Sequence, residues 1–224
     1  MPMQPNILLV EGEADKTFFT VICNMTNLRP VIKVASPEEI DPKSRNNKGS
    51  IFTVLPLLLD QLPDGEIERL AVVTDADHPE NHGMGYRKTV QLFEATAASY
   101  GYKRIQPKGL RAGILFGHND GLRDLGLWVM PNNRDDGTHE DWIKECLHQS
   151  EAALYANACR AVETLAKPWR FSGINRVKAE VSTWLAWQRV PGQGAHAACR
   201  AGLIDRDSVL FVELSEWLLR MFRN

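Results

Sequence analysis

The chain has 224 residues, which at roughly 150 residues per domain implies one fold with an extension or two small units. Its 44% apolar content and a size at which roughly 70% of the unfolded surface is buried on folding exclude disorder as the main state. Twenty-six basic and 28 acidic residues leave a net charge of −2, and residues 1–112 and 113–224 each carry 13 basic and 14 acidic side chains, so no charged tail dominates.

Cys23, Cys146, Cys159 and Cys199 lie far apart and form no C-x-x-C pair. That argues against a zinc knuckle or a disulfide framework and for a reducing, cytoplasmic setting. The longest apolar stretch, residues 49–59, contains Thr53 and Pro56 and falls short of the roughly 18 residues of a membrane span, so no membrane association is expected. The opening MPMQPNILLVEGEAD has no basic region before its apolar run, and a signal peptide is not expected either.

In chain order, NILLV at 6–10 is a short continuous apolar run stopped by Glu11-Gly12, the pattern of a buried strand ending in a tight turn. Phe18, Val21, Ile22 and Met25 then recur at helical spacing behind Glu13 and Asp15, acids that suit a helix N-terminus. PVIKVA at 30–35 reads as a second strand and residues 49–62 as an apolar helix tolerating or kinked by Pro56. LAVVT at 70–74 is a third buried strand running into Asp75-Ala76-Asp77, followed by a helix with Tyr86, Val90, Phe93 and Ala97 on one face. LWVM at 127–130 is a further strand. From Glu140 on the pattern is helical only: 141–149, 150–165, 175–189 and a last helix with Leu210, Leu214, Trp217, Leu218 and Met221. Alternating strands and helices predict an α/β fold, a parallel sheet with helices on both faces. The helical C-terminal extension is expected to pack on it, with residues 1–141 as the core and 142–224 as the extension.

Sites in open parallel sheets lie outside the carboxyl ends of the strands. Glu11 ends the first strand, Asp75 and Asp77 follow the third, and Asp15 stands one helical turn after Glu11, so these acids should share one rim. Like charges about 4 Å apart repel by about 4 kcal/mol at an effective dielectric of 20, and converging carboxylates therefore call for a cation. Oxygen donors favour Mg²⁺ or Mn²⁺. The alternative is that each pair merely favours a helix N-terminus or caps a loop. A DxD with a phosphoryl-accepting first Asp is a poorer match, since that Asp usually sits on the opening strand, where this chain has Glu.

LLVEGEAD followed by VVTDAD resembles the TOPRIM domain, over roughly residues 5–135. Its hallmark is a Glu after the first strand and a DxD after the third, holding divalent metal for strand cleavage or joining in nucleic acids. Glu11 and Asp15 match the Glu-x-x-x-Glu/Asp form of the nuclease branch of the OLD (overcoming lysogenization defect) family and of small standalone bacterial relatives. The resemblance implies a metal-dependent nuclease with Glu11, Asp75, Asp77 and Lys178 as catalytic residues and Glu11, Asp15, Asp75, Asp77 and Glu140 as metal ligands. Glu140 enters through the DGTHEDW stretch at 136–142, and Lys178 through KAEVSTWLA at 178–186, which resemble the family's later acid at a helix start and its Lys before an Ala/Leu-rich helix. A capping box with Thr138 and an ordinary solvated lysine are the alternatives. Unlike larger OLD proteins the chain has no G-x-x-x-x-G-K-[ST], so ATP control would need a separate ATPase or other partner. Asn46-Asn47-Lys48-Gly49-Ser50 could offer amides to a phosphate or simply cap a helix.

Nucleic acid, DNA or RNA, is the partner the resemblance implies, and two segments are basic enough to track phosphates. Residues 95–119 hold Lys103, Arg104, Lys108 and Arg111 with no acid, and residues 160–189 hold six basic and two acidic residues, Arg170, Arg176 and Lys178 among them. Lys108, Arg111, Arg170 and Arg176 are the candidate nucleic-acid contacts. Trp169, Trp184 and Trp187 in the second segment could stack on bases, although spacing of the last two suits a core. His78, directly after DxD, is a loop histidine that could touch substrate.

Overall fold

The computed structural model describes residues 4–36, 49–81 and 83–223. Its centre is a six-stranded sheet in the order β2-β1-β3-β6-β5-β4, made of β1 (Asn6–Val10), β2 (Val31–Val34), β3 (Arg69–Asp75), β4 (Tyr102–Ile105), β5 (Ile114–His118) and β6 (Leu125–Met130). β2, β1, β3 and β6 are mutually parallel. The sequence reading missed β4 and β5, which run antiparallel to their neighbours and make the sheet mixed rather than wholly parallel. β4, YKRI, is an edge strand with two exposed basic residues, so it lacks the apolar run that marks a buried strand.

The strands alternate with period two between two cores. Leu8, Val10, Ala71, Val73, Trp128 and Met130 point to one face, and Ile7, Leu9, Leu70, Val72, Leu127 and Val129 to the other. The second face is covered by α2 (Ser50–Asp60) and α3 (Gly85–Ser99). The first is covered by α1 (Glu13–Met25) and by the C-terminal helices α4 (His139–Glu145), α5 (Ala152–Glu163), α6 (Arg176–Ala186), α7 (Ala195–Arg200) and α8 (Val209–Phe222). Helices lie on both faces, as the sequence predicts. The C-terminal helices share one continuous apolar cluster with β1, β3, β6 and α1. The short α7 was missed, because its sequence AHAACR has too little length to show a period.

Trp184 is fully buried, but Trp187 is 45% exposed: α6 ends at Ala186, so Trp187 caps the helix instead of continuing its buried stripe. The Cys23, Cys146 and Cys199 thiols are buried, and burial pushes each up to about 12, which leaves them inert. Of the polar stretch at 46–50, residues 46–48 lie outside the described residues; Gly49 and Ser50 open α2. Among the described residues no helix is long and apolar enough to cross a membrane.

α8 lies so close to the sheet that glycine is required beneath it. Gly113 has φ +86°, and a Cβ there would stand 2.1 Å from Cδ1 of the buried Trp217, which itself packs on Trp128 at 5.6 Å between ring centroids. Gly113→Ala is therefore expected to cost about 2 kcal/mol or more through strain and overpacking, a fall of about 4–8 °C in melting temperature. An unchanged melting curve would show that α8 can move off the sheet at little cost.

Candidate active site at the sheet rim

β1 and β3 end side by side. Carrying the register of Leu9 against Val72 forward brings Glu11 level with Thr74. The Thr74 hydroxyl donates to Glu11 Oε1, and the Asp75 amide donates to the same oxygen at 3.1 Å. Gly12 caps α1, and its amide donates to Asp15 Oδ2 at 3.1 Å, which turns the Asp15 carboxylate back toward the rim. From the opposite side α4 begins at His139, whose amide donates to Asp75 Oδ1 at 3.1 Å. Asp77 adopts a left-handed backbone with φ 58°, and its amide donates to the Gly137 carbonyl at 2.8 Å, tying the loop after β3 to the loop before α4.

The His139 ring occupies the space among these acids. Its Nδ1 lies 3.6 Å from Asp15 Oδ1 and 3.9 Å from Asp75 Oδ2, and its Nε2 lies 3.5 Å from Glu140 Oε1. Glu140 is buried, accepts from the Thr138 hydroxyl at 2.8 Å and has Lys178 Nζ at 3.6 Å. The capping box of Thr138 closes with Asp141 rather than Glu140: the Thr138 amide donates to Asp141 Oδ2 at 2.9 Å. That leaves Glu140 turned into a cavity of about 430 Å³ that Glu11, Asp75, Asp77, His78 and Lys178 also line.

Electrostatics divide these acids. Burial, then the neighbouring Asp75 charge, pushes Glu11 up to about 8. Burial also raises Asp15 and Asp75, only partly offset by His139. Burial works against ionisation of Glu140 as well, yet His139, the Thr138 hydroxyl and Lys178 together hold it below the usual carboxylate range. Burial alone would lower His139, but the Asp75 carboxylate close to its ring, with the charges of Glu140 and Asp15, raises it to about 9.

A pH-dependent stability follows from Glu11. The unfolded acid ionises near 4.5 whereas the folded one keeps its proton to about 8, so folding stability falls by up to about 1.4 kcal/mol per unit as pH rises between those values. Glu11→Gln removes the penalty while keeping an acceptor for Thr74. In chelator, the variant is expected to melt with wild type at or below pH 4.5 and several degrees above it beyond about pH 8. A difference that does not vary with pH would show that Glu11 is not held protonated.

The structure thus gathers Glu11, Asp15, Asp75, Asp77, Glu140 and Lys178 at one rim. The proposed nucleic-acid contacts are more scattered. Lys108 and Arg111 lie in the β4–β5 connection, where Arg111 pairs with Glu216 of α8 at 3.6 Å. Arg170 is exposed in the connection before α6. Arg176 is exposed but engaged in ion pairs, with Nε 2.7 Å from the buried Glu180 and a terminal nitrogen 3.0 Å from Glu163. Trp169 stacks on Phe171 with centroids 5.1 Å apart, beneath Lys167. Sequence reasoning gave no role to His139 or Thr74, and gave Thr138 only that of a helix cap paired with Glu140. A histidine next to an acid at a helix start, inside a stretch already singled out, was the available signal for the first.

A Rossmann-like α/β sheet with acids collected at the carboxyl ends of adjacent strands defines a protein with a polar, acid-rich site at the sheet rim. A family profile matches residues 5–223, and the chain belongs to that family, DUF3226, described as proteins of unknown function. No curated protein and no solved structure gives a significant match.

Proposed function

We propose that the protein is a TOPRIM-type nuclease that hydrolyses phosphodiester bonds in DNA or RNA with Mg²⁺ or Mn²⁺ as cofactor. The observation that carries this reading is the convergence of acids at the rim. Glu11, Asp15, Asp75, Asp77 and Glu140 gather there with His139 and Lys178 beside them, and a divalent ion would offset the mutual repulsion of the ionised carboxylates. The donor chemistry fits, since carboxylate oxygens are the ligands such ions take. Among the described residues no three His, Cys, Asp or Glu side chains already surround a single point, so these side chains would have to close around an ion as it binds.

Glu11, Asp15, Asp75 and Asp77 would hold the ion, which when bound offsets phosphate charge and activates water. The chain's own groups supply the positioning. Thr74 and the Asp75 amide fix Glu11, and the His139 amide fixes Asp75. Lys178, 66% exposed at the cavity lip, is placed to meet a phosphate and offset charge that develops on it.

A second reading, a non-catalytic TOPRIM-like module that binds nucleic acid or a protein, is favoured by the ion pairs of His139 and Lys178, which already neutralise part of the cluster. Incubating the purified protein with single- and double-stranded DNA and RNA in Mg²⁺, in Mn²⁺ and in chelator separates the two. Cleavage that needs metal supports the nuclease. Binding without cleavage in every condition supports the module.

A further inference from the structure

We infer that His139 is an inner ligand of the divalent ion through Nδ1, making the centre a mixed nitrogen–oxygen site that prefers Mn²⁺ to Mg²⁺. The inference rests on the metal-dependent reading above and deepens it.

Nδ1 of His139 is buried and has no hydrogen-bond partner, an orphan polar atom in the most acidic part of the molecule. Buried polar atoms are almost always satisfied, and an unsatisfied one at a candidate site points to a missing partner. The nearest atoms are Asp15 Oδ1 at 3.6 Å and Asp75 Oδ2 at 3.9 Å. Both separations are too long for hydrogen bonds. They fall within the range of about 3 to 4.2 Å that separates two donors each about 2.1 Å from one ion.

The other ring nitrogen supports the same assignment. A metal-bound histidine ordinarily donates its second N–H to a carboxylate, which fixes ring orientation and tautomer. Nε2 lies 3.5 Å from Glu140 Oε1, and Glu140 is itself held by the Thr138 hydroxyl and Lys178. With Nε2 on the Glu140 side, Nδ1 faces Asp15 and Asp75, the side from which an ion would be held. Glu140 then orients the ligand rather than binding the ion. The residue is held on two sides: its backbone amide is tied to Asp75, and its ring sits tilted by 38° beside Phe18 at 6.0 Å between centroids.

An imidazole nitrogen changes which ion the site takes. Mg²⁺ favours oxygen donors and keeps several waters, whereas Mn²⁺ accepts both carboxylate oxygen and imidazole nitrogen. Affinity for Mn²⁺ should exceed that for Mg²⁺, and His139→Ala should weaken Mn²⁺ binding by about tenfold or more while weakening Mg²⁺ binding less.

The direct test is pulsed electron paramagnetic resonance of Mn²⁺ bound to the full chain, with calorimetric titration of Mn²⁺ and Mg²⁺ alongside. A modulation from directly coordinated imidazole nitrogen is expected, altered when histidine carries the heavy nitrogen isotope and lost in His139→Ala. The isotope arm uses wild-type protein and stands even if the variant does not fold. Tight Mn²⁺ binding without that modulation, or an unchanged Mn²⁺ to Mg²⁺ ratio in His139→Ala, overturns the inference and leaves the metal site standing. Failure of wild type to bind either ion overturns both.

Discussion

Asp75→Asn is expected to lower metal-dependent cleavage by about 10³-fold or more while leaving the apo protein at least as stable as wild type. Asp75 ends β3 between two anchoring elements: its amide donates to Glu11 and its Oδ1 accepts from the His139 amide that starts α4. Asparagine keeps the volume and the accepting oxygen, so the rim stays assembled. What it removes is a charge that burial already opposes in the folded chain, as the raised Asp75 carboxyl shows. In the proposed metal centre, loss of that charge would take away a central ligand, and an ion contributing several kcal/mol to the transition state would account for a loss of about 10³-fold. The measurement pairs a single-turnover assay in Mg²⁺ and Mn²⁺ with a melting curve in chelator. Equal cleavage by wild type and variant would trace the activity to a contaminant. A variant that is inactive and also strongly destabilised would assign Asp75 to the fold rather than to the ion.

How much of this was legible in the sequence depended on whether the signal was local. The strands β1, β3 and β6 are buried on both faces, so their apolar runs stand out against the polar residues that end them, and Glu11 and Asp75 inherit their positions from those ends. β4 and β5 were not legible, since an edge strand such as Tyr102-Lys103-Arg104-Ile105 is specified by pairing with a distant partner, here Tyr102 against His118 and Ile105 against Leu115. The opposite fates of Lys178 and Arg176 were hidden for a related reason. Two residues apart on one helix, they face different neighbours, and the charges that capture Arg176 come from Glu180 one turn on and from Glu163 on a different helix. His139 was invisible in its role because nothing in its neighbours along the chain reports Asp15, which lies more than a hundred residues away and is brought near only by docking of α4 beside α1.

Lys178 and Arg176 provide the remaining test, because the structure predicts opposite phenotypes for them. Lys178 is 66% exposed, lines the rim cavity and reaches Glu140 at 3.6 Å, so its ammonium is free to swing to a phosphate without unfolding anything. Lys178→Ala should change the melting temperature little, because the pair is long at 3.6 Å and the buried Glu140 keeps the Thr138 hydroxyl and His139 as partners. It should slow single-turnover cleavage by about 10²-fold, the usual effect of removing one group that stabilises developing charge. Binding should fall less, through the loss of about one phosphate contact, which would reduce the slope of log affinity against log salt by about 0.7 to 0.9. Arg176 is paired with Glu180, whose side chain is only 5% exposed, and with the half-exposed Glu163. Arg176→Ala leaves the Glu180 carboxylate buried without its partner, so it should lower the melting temperature and, in the folded fraction, spare both cleavage and the salt slope. If the two variants behave alike in the cleavage assay, Lys178 has no privileged place at the rim. If Arg176→Ala reduces the salt slope while Lys178→Ala does not, nucleic acid crosses the protein along the α5–α6 surface instead of over the acidic cavity.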